Sequence, residues 1–221
     1  RDSSTSRGLG DVYKRQKPDG AILPVHFISS LYLALVGYFA AVVIGIPLGL
    51  VMGYSKVFYK LINPIFEIVR PIPPIAWIPL SVIWLGIGTT AKGFIIFLAA
   101  FVPCVINAYT GVHQTNPTLI NVAKTCGAND WQIFTTVCIP SALPLTFTGL
   151  RVALGNSWST LVAAELLSAK AGLGYMIQQG RSLVRPDIII VGMLSIGITG
   201  ALLSACLSRV EKKFVKGRNA R

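Results

Sequence analysis

The sequence predicts an all-α fold, a polytopic bundle of membrane-crossing helices, and three observations carry that prediction. Of its 221 residues 53% are hydrophobic and only 13% charged, a balance more apolar than that of an average soluble domain. Apolar runs recur along the chain, and a bilayer core of about 30 Å takes about 20 such residues in a helix. The charges behind the formal net charge of +12 gather between these runs and at the two ends. One membrane domain over residues 26–208 contains every run.

Five spans are visible. Leu31 to Gly53 is the first, and Gly45, Gly49 and Gly53 give it a small-residue stripe suited to close contact with another helix of the same bundle. A polar link with Lys56 and Lys60 leads into a mixed stretch from Leu61 to Arg70. The following PIPPIAWIPLSVIWLGIG, Pro71 to Gly88, reads as a second span with a proline-broken entrance. Gly93 to Tyr109 supplies the third, Ser141 to Ser168 the fourth with polar interruptions, and Ile188 to Ser208 the fifth.

Between the third and fourth spans, Asn116 to Pro140 is too polar to cross a bilayer and reads as two short helices folded about a glycine. Asn116 is placed to cap a helix that begins at Pro117, where the missing amide hydrogen costs nothing. Gly127 should close that helix in the left-handed conformation, and Asn129 with Gln132 has the spacing of a capping box for a second helix. Pro140 marks the end of the second helix or a break in it. Trp131, Phe134 and Val137 form an apolar stripe there, so residues 112–140 read as a docking knob.

The basic tail over residues 209–221, with Arg209, Lys212, Lys213, Lys216, Arg218 and Arg221, should lie in the cytoplasm by the positive-inside rule. Counting back puts the knob and the Lys56 and Lys60 link on the same side and the loop from Ala169 to Asp187 outside. A nucleic-acid patch is disfavoured because only Phe214 is available for stacking within the tail. The start of the chain conflicts with this orientation, since Arg7, Lys14, Arg15 and Lys17 fall outside. Residues 1–20 read as a foreign or mistranslated leader on a truncated chain, and one further span before His26 would remove the conflict; a native odd-numbered topology is the alternative.

Cys104, Cys126, Cys138 and Cys206 are far apart and read as small apolar fillers, while His26 and His113 are isolated, so neither a metal centre nor a cofactor site is indicated. No nucleophile elbow, phosphate loop or acid/base constellation points to an enzyme. The costly residues sit in the fourth span. Arg151 and Glu165 share a face to within about 40° but stand about 21 Å apart, with Trp158 between them on that face. Ionisable groups in spans usually face a bundle interior or a wet cavity, so Arg151, Trp158 and Glu165 are candidates for a solute pathway. Snorkelling of Arg151, helix packing of Trp158 and an interfacial position for Glu165 are the competing readings.

At these residues the chain resembles the membrane subunits of bacterial ABC importers. That family carries a cytoplasmic loop of the form EAA, three residues, glycine, about a dozen residues and a proline after an aliphatic residue. Asn121, Val122, Ala123, Gly127, Ala128, Ile139 and Pro140 occupy these positions here, with Asn121 departing from the glutamate and Val122 from the first alanine. RPIPPIAWIPL at Arg70 to Leu80, GLRVALGNSWSTLVAAEL at Gly149 to Leu166 and GLG at Gly172 to Gly174 are similar to the nitrate, sulfonate and taurine branch. The resemblance implies a type I importer permease of the bacterial inner membrane, paired as a homodimer, served by cytoplasmic ATP-binding subunits and an external solute-binding protein. It implies that the docking residues are Asn121, Ala123, Gly127, Ala128, Trp131, Phe134, Ile139 and Pro140, and it favours a small anion such as a sulfonate or nitrate as the solute. An ATP-independent transporter or channel is the main alternative, and a membrane-anchored DNA-binding regulator ranks last.

Overall fold

A computed structural model describes residues 23–168 and 172–216, and every regular element among them is helical. Residues 1–22, which include the expected leader, the first residues of the loop at Ala169 and the end of the basic tail lie outside the described residues. The chain runs through α1 (Leu23–Tyr54), α2 (Lys56–Val69), a 3-10 turn (Pro74–Trp77), α3 (Ile78–Leu85) and α4 (Thr89–His113). It continues through α5 (Pro117–Thr125), α6 (Asp130–Ile133), α7 (Ile139–Ser168), α8 (Leu173–Ser182) and α9 (Pro186–Lys216).

Four helical stretches are long and apolar enough to cross a membrane, and they contain the first, third, fourth and fifth sequence-predicted runs. The second expected span takes a different form. None of Pro71, Pro73 and Pro74 has an N–H to donate to a helical ladder, so α2 stops at Val69 and the chain resumes along Pro74–Leu85 at 83° to it. The mixed stretch Leu61 to Arg70 is thus the helical first half of a bent pair, and α3 is its short second half.

Helices α1, α4 and α7 form the centre. The glycine stripe of α1 packs on α4 of the same chain, as its spacing predicted. A Cβ added at Gly49 would lie 2.4 Å from Val105 O, and one at Gly53 would lie 2.6 Å from Val112 Cβ. Contact this close replaces the hydrophobic drive that helices lack in hydrocarbon. Because Gly37 meets Ile96 and Gly53 meets Val112, α1 and α4 run in the same direction. On the other side of α4, Gly111 meets Ala142 and Gly149 meets Asn107, so α7 runs against it. Cys104 and Cys138 are buried fillers as expected, whereas Cys126 and Cys206 are exposed. Val36, Phe39 and Val43 on the outward face of α1 are also exposed, an arrangement suited to hydrocarbon or to another helix.

Helix α6 does not end at Pro140. It passes through a π turn, Phe134–Cys138, directly into α7. In that turn Ile139 N–H donates to Phe134 O, and the hydroxyls of Thr135 and Thr136 donate to the carbonyls of Trp131 and Gln132 at 2.9 and 2.6 Å. The widened turn absorbs the amide that Pro140 cannot offer, and the expected break becomes a continuous helix.

Candidate functional site

The knob is built almost wholly from local hydrogen bonds. Asn116 Oδ1 accepts from Thr118 N–H at 2.9 Å, which caps α5 with Pro117 in its first turn. At the far end Ala128 N–H donates to Ala123 O at 3.0 Å and Gly127 N–H donates to Lys124 O at 2.9 Å. That pair of bonds is a Schellman closure, and Gly127 serves it at φ 81°. Asn129 and Gln132 then exchange bonds of 2.8 and 2.9 Å, the reciprocal box that starts α6.

Seating of the knob is tertiary. Tyr54 at the end of α1 donates its hydroxyl to Asp130 O at 2.9 Å, and its ring lies 5.0 Å from that of Phe134. Ile133, Phe134 and Cys138 bury themselves with Val112 and Ala142, and Ile120, Ala123, Ala128 and Ile139 pack around them. The inward stripe therefore runs Phe134, Cys138, Ala142. Of the expected docking stripe, Phe134 is turned into the protein, Val137 is half-buried and Trp131 stands 70% exposed. Asn121 and Gly127 are also exposed, while Pro140 is half-buried. The exposed Leu119 and Val122 of α5 add apolar surface to the knob; Val122 stands at one of the loop positions named above, whereas Leu119 was not among the expected docking residues.

The three expected pathway residues each have a partner within the chain. Arg151 donates through Nη2 to Glu211 Oε2 near the basic end of α9. Trp158 is buried and donates through Nε1 to Ile196 O at 3.2 Å. Glu165 is 2% exposed, at the end of the bundle opposite the knob. On their shared face Trp158 packs against α9 and Glu165 against α1 and α8, whereas Arg151 stays exposed beside Glu211.

Around Glu165 the structure assembles a network that α7 alone could not reveal. Ser30 Oγ donates to Glu165 Oε1 at 2.6 Å and accepts from Leu173 N–H at 2.9 Å. Gly174 N–H donates to Glu165 Oε2 at 2.9 Å, and Gly172 N–H donates to His26 Nδ1 at 3.0 Å. The otherwise unpaired amides that open α8 are thus satisfied by α1 and α7, with a carboxylate at the positive end of the helix. Lys92 of α4, also buried, lies within electrostatic reach of Glu165. The glycines are required sterically: Gly172 has φ 137°, and a Cβ there would lie 2.3 Å from the Glu165 carboxylate. Glu165, as a costly residue in a span, and the GLG sequence were the signals of this site, and neither named Ser30 or His26 as partners.

Residues 45–219 match the family described as binding-protein-dependent transport system inner membrane component. The chain is similar to the taurine transport system permease protein TauC of Escherichia coli, 42% identical over 194 residues, which covers 88% of this chain and 70% of that protein. It is 36% identical over 193 residues to the nitrate import permease protein NrtB of Synechocystis sp., covering 87% and 70% respectively. A putative aliphatic sulfonates transport permease protein, SsuC of Bacillus subtilis, is 31% identical over 195 residues, covering 88% and 71%. A solved inward-facing structure of the MetNI methionine ABC transporter superposes with a TM-score of 0.77 at 20% identity, covering 90% of this chain and 99% of that one, which establishes the shared fold.

Proposed function

Because the chain belongs to the family of binding-protein-dependent transport system inner membrane components, we propose that it forms the solute path of an ATP-driven importer and is worked through its knob by a cytoplasmic ATPase. The observation that carries this reading is the knob itself. Two capped helices present Trp131, Leu119 and Val122 to the outside, while Phe134 and Tyr54 lock the same unit onto the ends of α1, α4 and α7. A surface of that kind gives a partner a grip, and the buried half converts movement of the grip into rigid-body movement of the spans. Positive charge agrees with a cytoplasmic knob: the basic end of α9 is tied through Glu211 to Arg151, on the knob side of Trp158 in α7.

The solute is a small anion of the sulfonate, taurine or nitrate kind, supported by the relatives that carry those names. An external binding protein delivers it, and two copies of this chain enclose the path. The test is Trp131→Glu in a chain co-expressed with its ATPase. A charge placed at the centre of the docking area should reduce co-elution of the ATPase by at least tenfold, about 1.4 kcal/mol, while the permease keeps its detergent elution volume. Full co-elution of that variant would show that the ATPase grips elsewhere.

A further inference from the structure

Two stretches of sequence that lie on different elements, RPIPPIAWIPL and GLRVALGNSWSTLVAAEL, meet across α4 at a cavity of about 150 Å³. Arg70 from the bend after α2, Trp77 from the 3-10 turn and Asn156 from α7 line it, with Leu98 and Val102 of α4 as its apolar wall. Its depth follows from neighbours. Trp158 bonds to Ile196, near the middle of the apolar run Ile188 to Ser208, and Asn156 lies two residues, about 3 Å of helix rise, from Trp158. Leu98 and Val102 likewise come from the middle of α4. The cavity lies near the middle of these apolar helices, which puts it close to the midplane of a bilayer they would cross.

Charge at that depth is the second observation. Arg70 Nη1 lies 3.3 Å from Glu67 Oε1, and both side chains are about half exposed, at 49% and 54%. Ionised groups at a membrane midplane face a wet cavity or a partner helix, because hydrocarbon solvates neither. The contact with Glu67 uses one edge of the guanidinium and leaves other N–H groups unengaged. Asn156 is exposed and makes no side-chain hydrogen bond among the described residues.

We propose that this cavity is a halfway station for the transported anion, in which the Arg70 fork and the Asn156 carboxamide hold two oxygens of a sulfonate or nitrate group; the assignment rests on the importer reading. Arginine suits the task because its planar donors match a pair of oxyanion oxygens. Leu98 and Val102 close the site without polar groups, and the Trp77 ring adds apolar surface with one indole N–H. Glu67 balances Arg70 when the site is empty and competes with the bound anion, which keeps occupancy weak enough for onward release.

The test uses the full importer with its ATPase and binding protein in proteoliposomes, with radiolabelled taurine and nitrate as probes, beside equilibrium binding of the same probes to the purified permease. Arg70→Gln and Asn156→Ala should each lower uptake at least tenfold and weaken probe binding, with the complex assembled and its ATP hydrolysis still stimulated by the binding protein. Arg70→Lys should recover part of the loss, and Glu67→Gln should tighten probe binding. Wild-type uptake by assembled Arg70→Gln and Asn156→Ala complexes overturns the site and leaves the importer reading intact. Arg70-dependent binding by a permease that imports neither probe supports the site and sinks the importer reading. Absence of both binding and uptake in the wild-type overturns the two together.

Discussion

The two ends of the bundle are built by opposite means. At the knob, the bonds that cap and close the helices join residues close in sequence, such as Thr118 with Asn116, Ala128 with Ala123 and Gln132 with Asn129. At the other end, the bonds that hold the start of α8 span 135 residues from Ser30 to Glu165, 143 from Ser30 to Leu173 and 146 from His26 to Gly172. The first end is exposed and its shape is written locally; the second is buried and exists only once α1, α7 and α8 have come together. A unit that must be gripped and moved as a rigid body gains from local determination, because its shape survives displacement of the spans beneath it. A loop pinned across three elements instead reports whether those elements are in register.

The sharpest way to break this comparison is to add one methyl group at each end. Gly127 and Gly172 both hold positive φ, at 81° and 137°, so alanine is strained at either. They differ in surroundings: a Cβ at Gly127 meets nothing within 4 Å, whereas one at Gly172 collides with the Glu165 carboxylate. Gly172→Ala should therefore cost roughly 3 kcal/mol or more, strain and overpacking combined, against about 1 kcal/mol for Gly127→Ala. Thermal unfolding of the purified chain in detergent reads the difference. Equal losses at the two positions would mean that the buried end relaxes as freely as the exposed one.

Next in size is the carboxylate itself. Both Glu165 oxygens accept, one from Ser30 and one from Gly174, and glutamine must turn an NH2 donor toward one of those donors. Glu165→Gln should lower stability by about 1–3 kcal/mol, and Ser30→Ala by a similar amount through the Leu173 amide left without an acceptor. The two changes act on one network, so the double variant should lose less than their sum. Strict additivity in a double-mutant cycle would show that Ser30 and Glu165 hold the loop independently.

How far the sequence could be read follows the same division. Asn116 with Pro117, Gly127, and Asn129 with Gln132 were legible because caps and closures depend on residues a few places apart. The Gly45, Gly49, Gly53 stripe was legible because a fixed period on one helix names a close contact without naming the partner. Phe134 was misplaced because the inward stripe of this helix is Phe134, Cys138 and Ala142, and it is set by what lies beneath the knob. Pro140 misled because the π turn before it absorbs the missing amide. The bend at the prolines was visible, but its 83° angle, which brings Arg70 toward Asn156, is a property of packing on α4. Glu165 was noticed for its cost; its partners on α1 and α8 required the fold.

The smallest effect worth measuring tests whether the knob is as locally made as its bonds indicate. Asn129→Ala removes the acceptor for Gln132 N–H, and Gln132→Ala removes the acceptor for Asn129 N–H, so each dismantles half of the box. Both groups are exposed, and water replaces part of what is lost, which limits the cost to about 1 kcal/mol for Asn129→Ala and less for Gln132→Ala. The loss should be confined to the knob: amide hydrogen exchange should quicken at the start of α6, while amides at Leu173 and Gly174 keep wild-type protection, because no bond of the box reaches them. Faster exchange at Leu173 as well would mean that the two ends share one cooperative unit, and the division between local and long-range construction would then describe only how the ends are bonded, with no bearing on how they move.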